Sequence, residues 1–259
     1  MDLQSSPQFF NQAEMSQLLS NVERFLADVV PKISTDHLFY EDKEDPTSLK
    51  QIQQMGEHDE WFAMLFNDGP FCRVAEELLE GPVVPKFMQC FNKPPGGSAT
   101  PPHQDGFYFM LNPCEAVTTW LALEDADEEN GCVRYVPGSH LRPMREHGRT
   151  KTLGFSQGIV DYPTPDDLSK EVAMQAAPGD LVVLHAKTIH RADANRSTVR
   201  TRKAMGFIYY SEGKRRGSCG LSGESSARNE VTRKAIAATA KTLEQSSNRS
   251  RLSLQADPL

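Results

Sequence analysis

From residue 83 the chain stops spacing its apolar residues for a helix and alternates them instead, in short runs broken by glycine and proline. Lys86-Phe87-Met88-Gln89-Cys90-Phe91 alternates, and Pro94-Pro95-Gly96-Gly97 breaks the run. Residues 103–110 read as the next strand, and 117–123 as another before the acidic turn over 124–130. Residues 131–136, 172–174, 181–184, 188–191 and 205–210 complete the set, with 139–170 read as loop. Many short strands with Gly/Pro turns require a closed or two-layered arrangement, so the fold expected is a mainly β sandwich or jelly roll with helices packed outside it.

The helices lie chiefly ahead of that region. Residues 11–30 place Met15, Leu18, Leu19, Val22, Phe25, Leu26, Val29 and Val30 on one helical face, with Asn11 and Glu14 as a capping box and Pro31 as the stop. Residues 36–60 are polar and read as a solvated loop with a short helix, in a position suited to covering a substrate. Residues 71–80 form a further short helix, stopped by Gly81. The organisation expected is a helical support and covering segment over 1–82 and a jelly-roll core over 83–212. A loop and helix over 213–245 and a disordered tail over 246–259 follow.

His103-Gln104-Asp105 is the pattern that carries chemistry. On one extended strand, residues i and i+2 share a face, so His103 and Asp105 can grip one ion. His190, about 85 residues on, can add a third ligand from a neighbouring strand. Two imidazoles and one carboxylate on one face of an octahedron form the site of non-haem Fe(II) oxygenases, with open positions for a co-substrate and O₂. His37, His58, His140, His147 and His185 read as structural histidines. Alternation sends Phe107 and Phe109 toward the metal face and Tyr108 away, and a bulge would bring Tyr108 in instead.

The 259 residues carry a net charge of −7 with a pI near 5.5, which argues against nucleic acid or an anionic membrane as partner. No run reaches the roughly 20 apolar residues of a membrane helix. The start shows no signal peptide, and the final Ala-Asp-Pro-Leu is no peroxisomal address. Five scattered cysteines read as reduced thiols in a reducing, cytoplasmic setting. A small-molecule substrate is the partner expected; the oligomeric state stays open. No dinucleotide fingerprint, Walker loop, nucleophile elbow or internal repeat is visible.

Several blocks in order resemble the phytanoyl-CoA dioxygenase family: His103-Gln104-Asp105-Gly106, Asn130-Gly131-Cys132-Val133, Val136-Pro137-Gly138-Ser139-His140, Pro178-Gly179-Asp180-Leu181, and His190 followed by Asn195-x-Ser197 and Arg202-x-Ala204. The likeness runs from about residue 48 to 212. It implies a cupin-like jelly roll, the double-stranded β-helix, and an Fe(II)/2-oxoglutarate-dependent oxygenase that hydroxylates an aliphatic carbon and releases succinate and CO₂. It makes His103, Asp105 and His190 the iron ligands and aligns Arg202 with the arginine that holds the C5 carboxylate of 2-oxoglutarate. The His-to-Arg segment is one residue longer than usual, so Arg200, on the same strand face, remains a rival. Gln89, Trp120 and Lys50 fall on positions that contact the co-substrate region in relatives, and Phe107 and Tyr108 are candidates for the substrate. Lys50, Lys93 and Arg134 leave room for an anionic group.

Two departures from the family pattern stand out. Ala192 replaces a frequent serine two residues after the distal histidine, and the N-terminus enters its first helix without the leading strand that relatives often carry. Two other readings stay open. Halogenation needs a vacant ligand position, which Asp105 fills; a metal- and co-substrate-binding module without turnover would keep the same residues.

Overall fold

The computed structural model describes residues 3–45, 48–152 and 155–212. The expected C-terminal helix and tail, and Cys219, lie outside these residues.

Two antiparallel sheets face each other. The larger runs β1 (Leu3–Ser6), β11 (Leu181–His185), β6 (Ala116–Ala122), β13 (Arg202–Ser211), β4 (Val83–Lys93), β3 (Leu49–Gln53) and β2 (Leu38–Tyr40). The smaller runs β10 (Val172–Met174), β7 (Val133–Tyr135), β12 (His190–Ala192) and β5 (Thr100–His103). A separate hairpin pairs β8 (His147–Thr152) with β9 (Phe155–Ile159). This is the cupin-like jelly roll expected from the strand pattern.

The larger sheet is buried on both faces, and its alternation sorts residues between two cores. Val117 and Leu121 of β6, Leu181 and Val183 of β11, Met205, Phe207 and Tyr209 of β13, and Met88 and Cys90 of β4 face outward. They meet α1 (Gln12–Arg24), α3 (Glu60–Asn67) and α4 (Pro70–Leu78) through Leu18, Val22, Phe62, Phe66, Phe71 and Ala75. Phe71 stacks on Phe207 with ring centroids 4.0 Å apart, and the buried Tyr209 hydroxyl donates to the Phe66 carbonyl at 2.9 Å. The alternate positions face into the jelly roll. Trp120, Ala122, Val182, Leu184 and Ala204 form one inner cluster with Cys132, Val133 and Tyr135; Ala116, Ile208 and Tyr210 form another with Phe109, Leu111 and Cys114.

Four expectations need correction. The first helix has its capping box at Asn11 and Glu14 but loses α geometry at Phe25. Val30 N–H reaches back to Phe25 O in a wider π turn, and a 3₁₀ turn over Val30–Lys32 follows at Pro31, which has no N–H to continue the ladder. A leading strand is present: β1 pairs antiparallel with β11 at the edge of the larger sheet, and its Leu-Gln-Ser-Ser gives no apolar alternation to betray it. The polar 36–60 stretch supplies β2 and β3 before the short α2 (Met55–His58). Gln51 is buried on the inward side of β3 beside outward Ile52, so a polar residue hides the period. The 139–170 stretch contains β8, β9 and α6 (Pro165–Lys170); β8 carries Arg149 and Lys151 on one face and Thr150 and Thr152 on the other.

Phe71→Ala should cost about 3–5 kcal/mol, because the outer core cannot collapse around a missing ring flanked by sheet and helix. Urea unfolding followed by circular dichroism will show it as a lower midpoint with an unchanged native spectrum.

Candidate active site

The smaller sheet brings the two histidines together. β12 runs antiparallel to β5 with His190 directly opposite His103, and their ring centroids are 4.1 Å apart. Asp105 arrives differently from the expectation. The strand ends at His103, and the chain turns through Gln104 into α5 (Asp105–Phe109), a short helix closed by Gly106 N–H to Ala186 O at 2.8 Å. A Cβ on Gly106 would lie 2.5 Å from Cys114 Sγ, so only glycine lets this turn seat itself against the inner core. The result is one carboxylate oxygen facing both rings: Asp105 Oδ1 lies 3.6 Å from His103 Nε2 and 3.7 Å from His190 Nε2. Among the described residues these three form the one group of such side chains close enough to share an ion, their ligand atoms lying within 4.8 Å of one another.

The backbone fixes which nitrogen of each ring is free. Nδ1 of His103 faces Pro101 O at 2.8 Å and Nδ1 of His190 faces Thr188 O at 3.0 Å. A carbonyl can only accept, so each Nδ1 carries the proton and each Nε2 presents its lone pair toward Asp105. Burial alone would raise the Asp105 carboxyl, but the His190 and His103 rings and the 2.7 Å bond from Thr118 Oγ1 outweigh it and bring it down to about 2. Burial, helped by the neighbouring His103, pushes His190 down to about 4 against the pull of Asp105. Near neutral pH the carboxylate is therefore ionised and His190 neutral, the protonation states in which a metal takes them. One oxygen and two imidazole nitrogens, with no sulfur, suit a divalent first-row ion that keeps further positions open.

Arg202 opens β13, is 5% exposed, and has its guanidinium carbon 5.8 Å from the Trp120 ring. Its Nε has no hydrogen-bond partner among the described residues, and burial lowers it to about 10. Arg200 does not share that strand face, because it lies in the preceding loop. It is spent on Asp127, through a two-pronged pair at 2.8 and 3.0 Å, and on Glu129. Arg202 lines an open cleft of about 410 Å³ together with Lys50, Gln51, Phe91, Lys93 and Phe155. Lys50 reaches Glu41 at 3.4 Å, and Gln89 accepts a bond from Gln51, which lines the same cleft.

Alternation fails for the aromatic triplet because the segment is helical. Phe109 enters the inner core, Phe107 stacks on His147 at 4.2 Å, and Tyr108 stands edge-on to His103 at 6.2 Å with its hydroxyl donating to Gln157 O. Among the named histidines, His37 and His58 bond to each other at 2.9 Å, and His147 Nε2 accepts from Gln104 N at 3.1 Å. Arg134 is engaged by Glu128 and Asp193.

Sequence reasoning missed two contributors, Phe155 and Thr118, and left the burial of a third, Lys93, unread. Phe155, 5.2 Å from His103, sits on a hairpin read as loop; Thr118 is one unremarkable β-branched residue in a strand. Lys93 was read as surface charge or an anion contact, yet it is 6% exposed and donates to Asp193 O at 2.5 Å. Burial and the adjacent Arg202 bring its ammonium down to about 7.

Residues 6–204 match the family model described as Phytanoyl-CoA dioxygenase (PhyH). The chain belongs to the phytanoyl-CoA dioxygenase family. Phytanoyl-CoA dioxygenase 1 of Oryza sativa subsp. japonica is 36% identical over 119 residues, 46% of this chain and 41% of that protein. The peroxisomal phytanoyl-CoA dioxygenase of Rattus norvegicus is 33% identical over 150 residues, 49% of this chain and 43% of its own length. The chain thus spans about half the length of the curated relatives it matches. Among solved structures, the epimerase SnoN in complex with Fe3+, alpha ketoglutarate and nogalamycin RO aligns with a TM-score of 0.66 at 22% identity, covering 85% of this chain and 82% of that one. EctD from S. alaskensis with 2-oxoglutarate and 5-hydroxyectoine aligns at 0.66 and 18%, covering 87% and 81%. At these identities the likeness is one of fold.

The lysine of this phytanoyl-CoA dioxygenase family member gives the cleft a pH dependence. Its cation is present below about pH 7 and lost as pH rises through it, so a small dicarboxylate such as succinate should bind more weakly on the alkaline side. Calorimetric titration across that range will show the fall, and Lys93→Met should flatten it.

Proposed function

We propose that the protein is an Fe(II)/2-oxoglutarate-dependent oxygenase that hydroxylates an aliphatic carbon of a small molecule. One observation carries the reading: two lone-pair-bearing Nε2 atoms and one carboxylate oxygen converge beside a cleft that holds a buried arginine whose Nε has no hydrogen-bond partner among the described residues. Fe(II) held by His103, Asp105 and His190 would supply the redox chemistry by which oxoglutarate and O₂ give succinate and CO₂ as a C–H bond becomes C–OH.

The chain's own work is to bind, orient and exclude water. Arg202 presents a fork suited to the far carboxylate of oxoglutarate, and Trp120 holds the face of that guanidinium. Lys93 adds a second positive charge, Lys50 on β3 borders the same space, and Gln89 is joined to it through Gln51. Tyr108 and Phe155 screen the His103 side from water, with Phe107 one layer behind. The β2–β3 hairpin of the N-terminal segment flanks the cleft: Glu41 accepts from Ser98 N–H at 2.8 Å as well as from Lys50, which supports a covering role. Asp105 as a third ligand supports hydroxylation over halogenation. No disulfide joins Cys72, Cys90, Cys114 and Cys132 among the described residues, which supports a reducing, cytoplasmic setting; no described helix is long and apolar enough to cross a membrane.

Replacing His103, Asp105 or His190 with alanine should abolish succinate formation while leaving the circular dichroism spectrum unchanged. Full turnover in His190→Ala would refute the site. A metabolite screen scored by substrate-stimulated succinate release tests catalysis against mere binding, since a module without turnover makes none.

The two arginines give a sharper test. Losing a buried charge-assisted pair costs about 2–5 kcal/mol, roughly 30-fold or more in affinity. Arg202→Ala should weaken oxoglutarate by that factor while metal binding survives, and Arg202→Lys should recover only part, because an ammonium cannot form the fork. Arg200→Ala should leave oxoglutarate affinity nearly unchanged. Anaerobic titration of the metal-loaded protein reads both, and the reverse ranking would overturn the assignment.

A further inference from the structure

Asp105 has two carboxylate oxygens, and the structure treats them differently. Oδ1 faces both histidine nitrogens, while Oδ2 accepts a 2.7 Å bond from Thr118 Oγ1. Thr118 lies mid-way along β6, whose inward positions are otherwise Ala116, Trp120 and Ala122. It is thus the one hydroxyl that this strand turns into the jelly roll; Thr119 faces the other way and donates to Phe207 O. Valine has the same shape and at least the same preference for a strand, so packing alone does not call for the hydroxyl. The Thr118 backbone is pinned between Leu184 of β11 and Ile208 of β13, so the hydroxyl is presented from a fixed Cα position.

We infer that Thr118 is a positioning residue that keeps Asp105 a one-oxygen ligand and thereby holds three metal positions open. The inference rests on the proposed metal site. A carboxylate binds a metal through one oxygen or both. Oδ2, once it loses its donor in a buried place, regains a partner by swinging onto the metal. Asp105 would then occupy two positions and leave two. Oxoglutarate needs two for itself, so O₂ would have none. The consequence is selective: metal binding is kept, because the carboxylate gains a bond, and the position left for O₂ is lost.

Mn(II) is a suitable probe, since water exchanging at its open positions speeds water-proton relaxation in proportion to their number. The full chain, Thr118→Val and Thr118→Ser are each loaded with Mn(II), and relaxation enhancement is measured alongside oxoglutarate affinity under argon. Thr118→Val should show roughly two thirds of the wild-type enhancement, two open positions against three. Its Mn(II) affinity should be equal or tighter, and oxoglutarate, which takes both remaining positions, should remove its enhancement altogether while leaving about a third of the starting value in the wild type. Thr118→Ser, which keeps the hydroxyl, should restore both readings. Wild-type enhancement in Thr118→Val, with and without oxoglutarate, overturns the inference, as does a parallel loss of metal and oxoglutarate binding in both variants, which would mark a role in folding alone. Failure of the unsubstituted protein to bind Mn(II) would overturn the metal-site reading and this inference with it.

Discussion

The arrangement of the site depends on one register, the pairing of β12 with β5 that sets His190 opposite His103. Side chains on a strand alternate with a period of two, so a slip by one residue would send one histidine to the outer face and leave the other alone. β12 is held from its other side as well, since His190 also pairs with Tyr135 of β7. Tyr135 is 1% exposed, and its ring lies 5.9 Å from that of His190. The register thus rests on strand pairing and on a filled core behind it. Once it is set, the Pro101 and Thr188 carbonyls fix both tautomers without recruiting any further side chain.

What could be read from sequence follows from where alternation is visible. β6, β11 and β13 carry runs of apolar residues because both faces of the larger sheet are covered, and those runs announced themselves. β3 and the β8–β9 hairpin did not, since their inward positions are Gln51, Thr150 and Thr152, polar residues facing the cleft or the hairpin's partner strand. The same cause hid Phe155. The three candidate ligand positions were legible because residue type and spacing, set among the family's other sequence blocks, point to them. Their geometry was not: a pleated strand and a strand-to-helix turn both bring residues i and i+2 near one point, and the aromatic run Phe107-Tyr108-Phe109 favoured the strand on propensity. Tertiary contacts decided otherwise, through the seat of Gly106 against Cys114 and the burial of Phe109.

The choice between Arg200 and Arg202 was likewise beyond spacing, because one extra residue in the segment leaves both alignments possible. Burial and pairing separate them. Arg200 meets two carboxylates at the surface, whereas Arg202 is enclosed with its Nε unanswered among the described residues. An unanswered buried donor is costly in a folded chain, typically about 1–3 kcal/mol, and more when charged.

Lys93 sharpens that point. It pairs directly across from Arg202 in the β4–β13 ladder, so two buried cations stand side by side on the same face of the larger sheet. Like charges opposite one another destabilise a sheet, and burial removes the water that would screen them. The protein meets part of this cost by letting Lys93 fall to about 7 and by giving its nitrogen the Asp193 carbonyl. Arg202 keeps its proton and gains the face of Trp120 instead. An anion placed between them turns the repulsion into attraction for both. The cleft is therefore built at the expense of folding stability, in a form that a carboxylate relieves, and that is the electrostatic preorganisation a dicarboxylate co-substrate requires.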